Sequence, residues 1–179
     1  MRAVGILVAV FLVAAWSATS VSAASRPPAG QPASVSIEAD LDGHPIKPTL
    51  ISRYYCHDFD FPRIHCYRTA AALEAGEARW GAKDGKLAMA AAFGANDYVS
   101  VFDGPNYGIA GMDISQNYDT LAFVGWNDRI SSYKGRNSAN GELWTDWFAT
   151  GTGRLFCCNT QVPSLPSNLD NAFTSVYRH

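Results

Sequence analysis

The chain has 179 residues, 47% of them hydrophobic and 17% charged, which is enough apolar material for one or two small packed domains and too much for a disordered chain. Fourteen Lys and Arg against sixteen Asp and Glu give a formal charge of −2, so no basic excess offers a surface for nucleic-acid phosphates. Fifteen Gly, nine Pro, five Trp, eight Tyr and nine Phe point to a turn-rich all-β fold and away from a helical bundle.

At the N-terminus Arg2 precedes an uncharged apolar run over residues 3–16, and Val21-Ser22-Ala23 offers the small residues of a cleavage site. Residues 1–23 therefore read as a secretory signal peptide cleaved near Ala23, with the mature protein secreted. The run is too short to span a ~30 Å hydrocarbon core, and no other run is longer, so the mature chain is expected to make no membrane contact. Residues 24–33 hold three prolines and read as an exposed tether.

Order is expected from Ser34. Val35 and Ile37 alternate with polar residues, and Asp42-Gly43 separates them from Pro45-Ile46, a pattern that predicts a short hairpin. Thr69 can cap a helix running to Trp80, with Leu73 and Trp80 on one face and Gly81 as the stop. The alanine-rich run 87–93 fits a helix by propensity and a connector by length. From Tyr98 onward, short β runs over 98–102, 121–124, 130–133, 142–147, 154–157 and 173–177 are spaced as in a sandwich.

Export would carry Cys56, Cys66, Cys157 and Cys158 into an oxidising compartment as two disulfides, for which three pairings exist. Joining Cys56 to Cys66 leaves Cys157 to close on Cys158, a strained vicinal ring. The expectation is therefore two bridges linking the halves. Cys56-His57-Asp58 and His65-Cys66 lack zinc-type spacing, and sequence neighbours rarely form a catalytic pair, so this stretch reads as a disulfide-tied turn around Pro62 with Asp58 and Asp60 solvated. Gly151-Thr152-Gly153 reads as a turn without the Lys of a nucleotide loop, and no enzyme is expected.

One internal repeat carries chemistry. Asn127-Asp128-Arg129-Ile130-Ser131-Ser132 recurs 43 residues on as Asp170-Asn171-Ala172-Phe173-Thr174-Ser175. Each copy places two amide or carboxylate side chains first, an apolar residue fourth and two hydroxyls last, an oxygen set suited to a hard cation. A single copy offers too few of the six to eight oxygens that Ca²⁺ takes, and alone it would be an ordinary turn or cap; the doubling is what points to metal.

With Tyr98-Val99-Ser100-Val101-Phe102 running into Asn106-Tyr107-Gly108, and with Trp126 ahead of the first copy, residues 97–179 resemble the βγ-crystallin domains of microbial secreted proteins. The calcium signature of that family reads (Asn/Asp)-(Asn/Asp)-x-x-(Ser/Thr)-Ser once per Greek key, and both copies match every defined position. The resemblance implies an all-β, two-key sandwich, with residues 34–96 as an N-terminal extension that contains the short helix. It implies two Ca²⁺ ions sharing the side chains of Asp128 and Asn171, the hydroxyls of Ser131 and Thr174, and the main-chain carbonyls of Arg129 and Ala172, with a hairpin carbonyl from Asp103. With Asp128 as the one carboxylate among these side-chain ligands, the expected affinity is modest, roughly 10⁻⁴ to 10⁻³ M. The implied role is a non-catalytic structural or binding module, monomeric, with calcium ions as partners and at most an extracellular protein or protease besides. A secreted peptidase inhibitor of similar fold is the alternative.

Two features depart from the family hairpin, which has an aromatic, four residues, a second aromatic, one residue and then Gly. Phe102 and Tyr107 fit the first key, but Ile109 stands where that Gly belongs, which leaves Gly108 and Gly111 to supply the turn. In the second key Trp144, Trp147 and Phe148 crowd the strand, and Gly151 and Gly153 look displaced.

Overall fold

Short strands with alternating burial divide the chain between two sheets in the computed structural model, which describes residues 36–83 and 97–179. The expected signal peptide, the tether and the run 87–93 lie outside the described residues. The strands are β1 (Glu38–Leu41), β2 (His44–Ile46), β3 (Tyr55–Asp60), β4 (Arg63–Tyr67), β5 (Val99–Phe102), β6 (Gly111–Ile114), β7 (Ser132–Gly135), β8 (Asn140–Asp146), β9 (Thr150–Cys157), β10 (Gln161–Val162) and β11 (Ser175–Arg178), with helix α1 (Ala70–Lys83) between β4 and β5. The larger sheet runs β10-β7-β5-β6-β3-β4-β1-β2 and the smaller β11-β8-β9.

Two interlocked keys explain this order. In the first, β5 pairs antiparallel with both β6 and β7, and the chain then crosses at Tyr118 to bridge Val176 of β11. In the second, β8 pairs with both β9 and β11, and β10 crosses back to pair with β7. Each key thus lends one short segment to the other's sheet, and the 43-residue spacing carries β7 onto β11. Between the sheets lie Val99, Val101, Met112, Ile114 and Tyr133 from one side and Leu143, Phe156 and Val176 from the other, each at most 1% exposed. Their alternation with polar residues along each strand is what fixes the register.

The residues before the keys extend the first sheet. β3 runs parallel to β6 with His57 opposite Asp113, and β4, β1 and β2 continue outward from it. The predicted hairpin at Asp42-Gly43 is present, with both residues at positive φ (52° and 83°), as a two-residue turn requires. Thr69 caps α1 by accepting the Ala72 N–H at 3.1 Å, and the helix passes Gly81 to end at Lys83. Gly76 permits close approach to the sheet, since a Cβ there would overlap the Tyr67 ring.

Three expectations are corrected. Residues 121–124 form a 3₁₀ turn rather than a strand, because the Thr120 hydroxyl accepts the Ala122 N–H at 3.2 Å and Gly125, at φ 72°, ends the turn after four residues. The stretch around Pro62 is a strand pair, and Asp58 is fully buried, accepting Ser115 N–H and Oγ–H at 2.7 Å each and Tyr118 O–H at 3.0 Å. The disulfides are local: Cys56 bonds Cys66, and Cys157 bonds Cys158. Register sets Cys56 directly across from Cys66, whereas Cys157 ends β9 beside Gly135 of β7, three strand spacings or about 14 Å from β3. The vicinal pair sits where the chain turns between sheets, with Cys158 and Asn159 at φ 53° and 69° and Thr160 N–H donating to the Cys157 carbonyl.

Candidate metal centre

The two six-residue motifs meet across the pseudo-two-fold axis of the keys. Asp128 N–H donates to the Phe173 carbonyl and Asn171 N–H to the Ile130 carbonyl, both at 3.0 Å, so the second residue of each copy is tied to the fourth of the other. Asp128 and Asn171 share a left-handed backbone, φ 54° and 56°, a conformation that Asp and Asn tolerate better than other non-glycine residues. Ile130 and Phe173 are completely buried and anchor each loop in the core, while Asp128 and Asn171 are exposed.

This crossing brings the expected ligand side chains together in pairs drawn from opposite motifs. Thr174 Oγ1 lies 3.4 Å from Asp128 Oδ1, and Ser131 Oγ lies 3.3 Å from Asn171 Oδ1. Each second-position side chain therefore faces the fifth-position hydroxyl of its mate. The donor chemistry fits calcium, being entirely carboxylate, amide, hydroxyl and main-chain oxygen where the two motifs cross. Among the described residues no group of three or more His, Cys, Asp or Glu side chains could hold a metal ion. The third-position carbonyls of Arg129 and Ala172 belong to these same loops.

Asp103 directly follows β5, which pairs with β7 at the end of the first motif. Ser131 N–H donates to the Phe102 carbonyl at 2.9 Å, and with Phe102 opposite Ser132 the following residue, Asp103, comes next to Ser131, the partner of Asn171. Symmetry repeats this arrangement: Thr174 N–H donates to the Trp144 carbonyl at 2.8 Å, setting Thr145 beside the Asp128–Thr174 pair. The Asp103 carboxylate itself forms an ion pair with the Arg129 guanidinium.

Sequence reasoning did not assign the last hydroxyl of each motif. Ser132 Oγ donates to the Gly104 carbonyl at 2.6 Å and accepts Tyr107 N–H at 3.1 Å, and Ser175 Oγ donates to the Asp146 carbonyl at 2.6 Å and accepts Ala149 N–H at 3.2 Å. Both serines are completely buried and pin the folded hairpins that carry Asp103 and Thr145. The repeated Ser-Ser and Thr-Ser endings held this signal, since one hydroxyl per copy was enough for a ligand.

The hairpins are congruent as well. Asn106, Tyr107 and Ile109 take φ 55°, 62° and 73°, and Phe148, Ala149 and Gly151 take 56°, 54° and 81°. Gly151 is therefore in register after all, and Ile109 itself occupies the left-handed position, while Gly108 stays extended at φ −96°. A β-branched residue is strained there and its side chain is 72% exposed, so Ile109→Gly is expected to raise stability by about 1 kcal/mol, read as a shift in the urea midpoint at unchanged slope.

A second polar grouping lies on the other face of the larger sheet, where a cavity of about 230 Å³ is lined by Tyr98, Tyr107, Lys134 and Arg136 with the acids Asp113 and Glu77. Asp113 and Glu77 are neighbouring carboxyls in this cavity. Burial, followed by the neighbouring Asp113 carboxyl, pushes Glu77 up to about 10, and burial also raises Asp113, so the pair holds a proton at neutral pH.

No model of a known protein family matches the chain, and no curated protein sequence matches it. Among solved structures it is similar to a βγ-crystallin domain from Clostridium beijerinckii (23% identity, TM-score 0.40, covering 46% of this chain and 97% of that one). It is also similar to a βγ-crystallin from Ciona intestinalis (19% identity, TM-score 0.41, covering 46% of this chain and 99% of that one). The chain's own topology gives the fold: two four-segment keys that exchange their third segments, two pinned hairpins and two reciprocally bonded motifs make residues 97–179 a βγ-crystallin-type domain.

Proposed function

We propose that the mature protein is a secreted, non-catalytic βγ-crystallin-type module that binds two Ca²⁺ ions, one at Asp128–Thr174 and one at Asn171–Ser131. The reciprocal pairing of the two motifs carries this reading, because it places oxygen donors from opposite copies within 3.3–3.4 Å of each other at two equivalent positions. Calcium bound there would take the Asp128 and Asn171 side chains, the Ser131 and Thr174 hydroxyls, and main-chain oxygens of Arg129, Ala172 and the hairpins. Both loops already have the backbone shape that presents these donors, so little ordering cost stands against binding.

The consequence is a gain in stability by mass action. For dissociation constants of roughly 10⁻⁴ to 10⁻³ M, 10 mM Ca²⁺ stabilises the fold by about 1.4 to 2.7 kcal/mol per site, several degrees in melting temperature. Asp128→Ala is expected to abolish most of that rise and Asn171→Ala to reduce it. An unchanged rise in both variants would contradict the assignment of these side chains.

A further inference from the structure

The two halves of the metal centre are not equivalent in charge, and the difference comes from one residue. At the third motif position the second copy has Ala172 and the first has Arg129, whose guanidinium pairs with the Asp103 carboxylate. Asp103 is the hairpin residue beside the Asn171–Ser131 donors, and those donors are otherwise neutral. On the opposite side the hairpin residue is Thr145, whose Oγ1 accepts Thr152 N–H at 2.9 Å, and the charge there is the Asp128 carboxylate. Asp128 is the exposed residue of its loop, and the cation of that loop, Arg129, is engaged across the hairpin at Asp103.

We infer that Arg129 is a built-in competitor at the Asn171–Ser131 site: its guanidinium occupies the Asp103 carboxylate beside this site, so the two sites differ in affinity and Arg129 sets the difference. The inference rests on the calcium reading given above. Divalent ions gain most of their affinity from the number of charged ligands, and an Asp103 released from Arg129 would turn a neutral oxygen set into a charged one. The pair is also poorly suited to survive as a purely structural bridge. Its side chains are 39% and 20% exposed, so part of the pair's attraction is screened by solvent, and the buried Arg129 Nε has no hydrogen-bond partner among the described residues. A residue of modest structural value beside a calcium-type donor set is therefore free to act on the set.

The test is a calorimetric Ca²⁺ titration of the folded protein, with terbium luminescence as a second readout, on the unmodified chain and on Arg129→Ala, Arg129→Lys, Asp103→Asn and the Arg129→Ala/Asp103→Asn double variant. Thermal melting without calcium confirms that each variant is folded. The unmodified chain is expected to show one tighter and one weaker site. Arg129→Ala should tighten the weaker site by about tenfold, as expected from removing a unit positive charge near a divalent ion at low salt. Arg129→Lys keeps the charge and should keep the weaker constant, and the double variant should lose the gain because the freed carboxylate is gone. Two equal sites in the unmodified chain, or two constants that ignore Arg129→Ala, would overturn the inference while leaving the calcium reading intact. Absence of binding in every variant would overturn both.

Discussion

Asp58→Ala is expected to be among the most damaging single substitutions in the protein, costing on the order of 3–5 kcal/mol at neutral pH. Asp58 is the acceptor that ties β3 to the crossing segment of the first key: it takes Ser115 N–H and Oγ–H at 2.7 Å and the Tyr118 O–H at 3.0 Å, all inside the core. Removing it strands three buried donors at once. Asp58→Asn keeps an oxygen toward Ser115 and can donate to the Tyr118 phenol oxygen, so it should cost much less.

The same residue makes stability depend on pH. Burial outweighs the hydrogen bonds and pushes Asp58 from 3.8 up to about 6. The folded state therefore binds a proton that the unfolded state releases between those two values. This contribution is fully present below the unfolded value and is lost as pH rises through about 6, a decline of about 3 kcal/mol. Glu77, pushed up to about 10, acts in the same direction and extends the decline toward alkaline pH. Urea denaturation at pH 4, 5, 6 and 7 reads this out. The unmodified chain should lose stability across the window and Asp58→Asn should lose about 3 kcal/mol less, keeping the decline that belongs to Glu77, whereas parallel curves would show that Asp58 does not titrate as described.

Gly141→Ala should cost about 3 kcal/mol, near the upper end of ordinary overpacking, and lower the melting temperature by about 6–12 °C. Gly141 lies in β8 between Phe156 of β9 and Arg178 of β11, and a Cβ there would overlap the Tyr177 carbonyl and stand 2.6 Å from Phe156 Cζ and 2.9 Å from Arg178 Cα. Backbone on one side and a core ring on the other leave nothing flexible to yield. Gly108→Ala is the matched control: its Cβ would meet only the Pro105 carbonyl, at 3.4 Å, and it should be close to neutral. Equal melting temperatures for the two variants would contradict the packing described.

What the sequence disclosed follows from locality. The Asn127 and Asp170 motifs, the Asp42-Gly43 hairpin and the Thr69 cap each depend on a few neighbouring residues whose chemistry admits one main conformation. The pairing of the two motifs was legible because the repeat itself encodes the symmetry that brings Asp128 to Thr174 and Asn171 to Ser131. Long-range pairing was not legible. β3 and β4 hold Cys, His, Asp and Arg around Pro62 and look like a solvated turn, because burial of His57 and Asp58 arises only once β3 lies beside β6. β9 begins Thr-Gly-Thr-Gly-Arg, exposed on both faces at a sheet edge, so it carries no hydrophobic alternation to announce it. The disulfides failed for the same reason: ring strain at Cys157–Cys158 is a local argument, whereas the three intervening strand spacings that forbid the other pairings are a property of the sheet.

The hairpin glycines show the opposite error. Gly151 looks displaced in the sequence because Ala149 stands where the second aromatic of the hairpin belongs, yet its φ of 81° matches that of Ile109 at 73° in the first key. Register was set by Ser132 and Ser175, whose buried hydroxyls pin the two hairpins alike.

The most direct measurement of the central claim is the stoichiometry of Ca²⁺ binding to the unmodified protein by isothermal titration calorimetry at neutral pH. Two ions per chain are expected, with binding lost in an Asp128→Ala/Asn171→Ala variant that still melts cooperatively. No heat of binding and no change in melting temperature at 10 mM Ca²⁺, or two ions retained by that double variant, would contradict it.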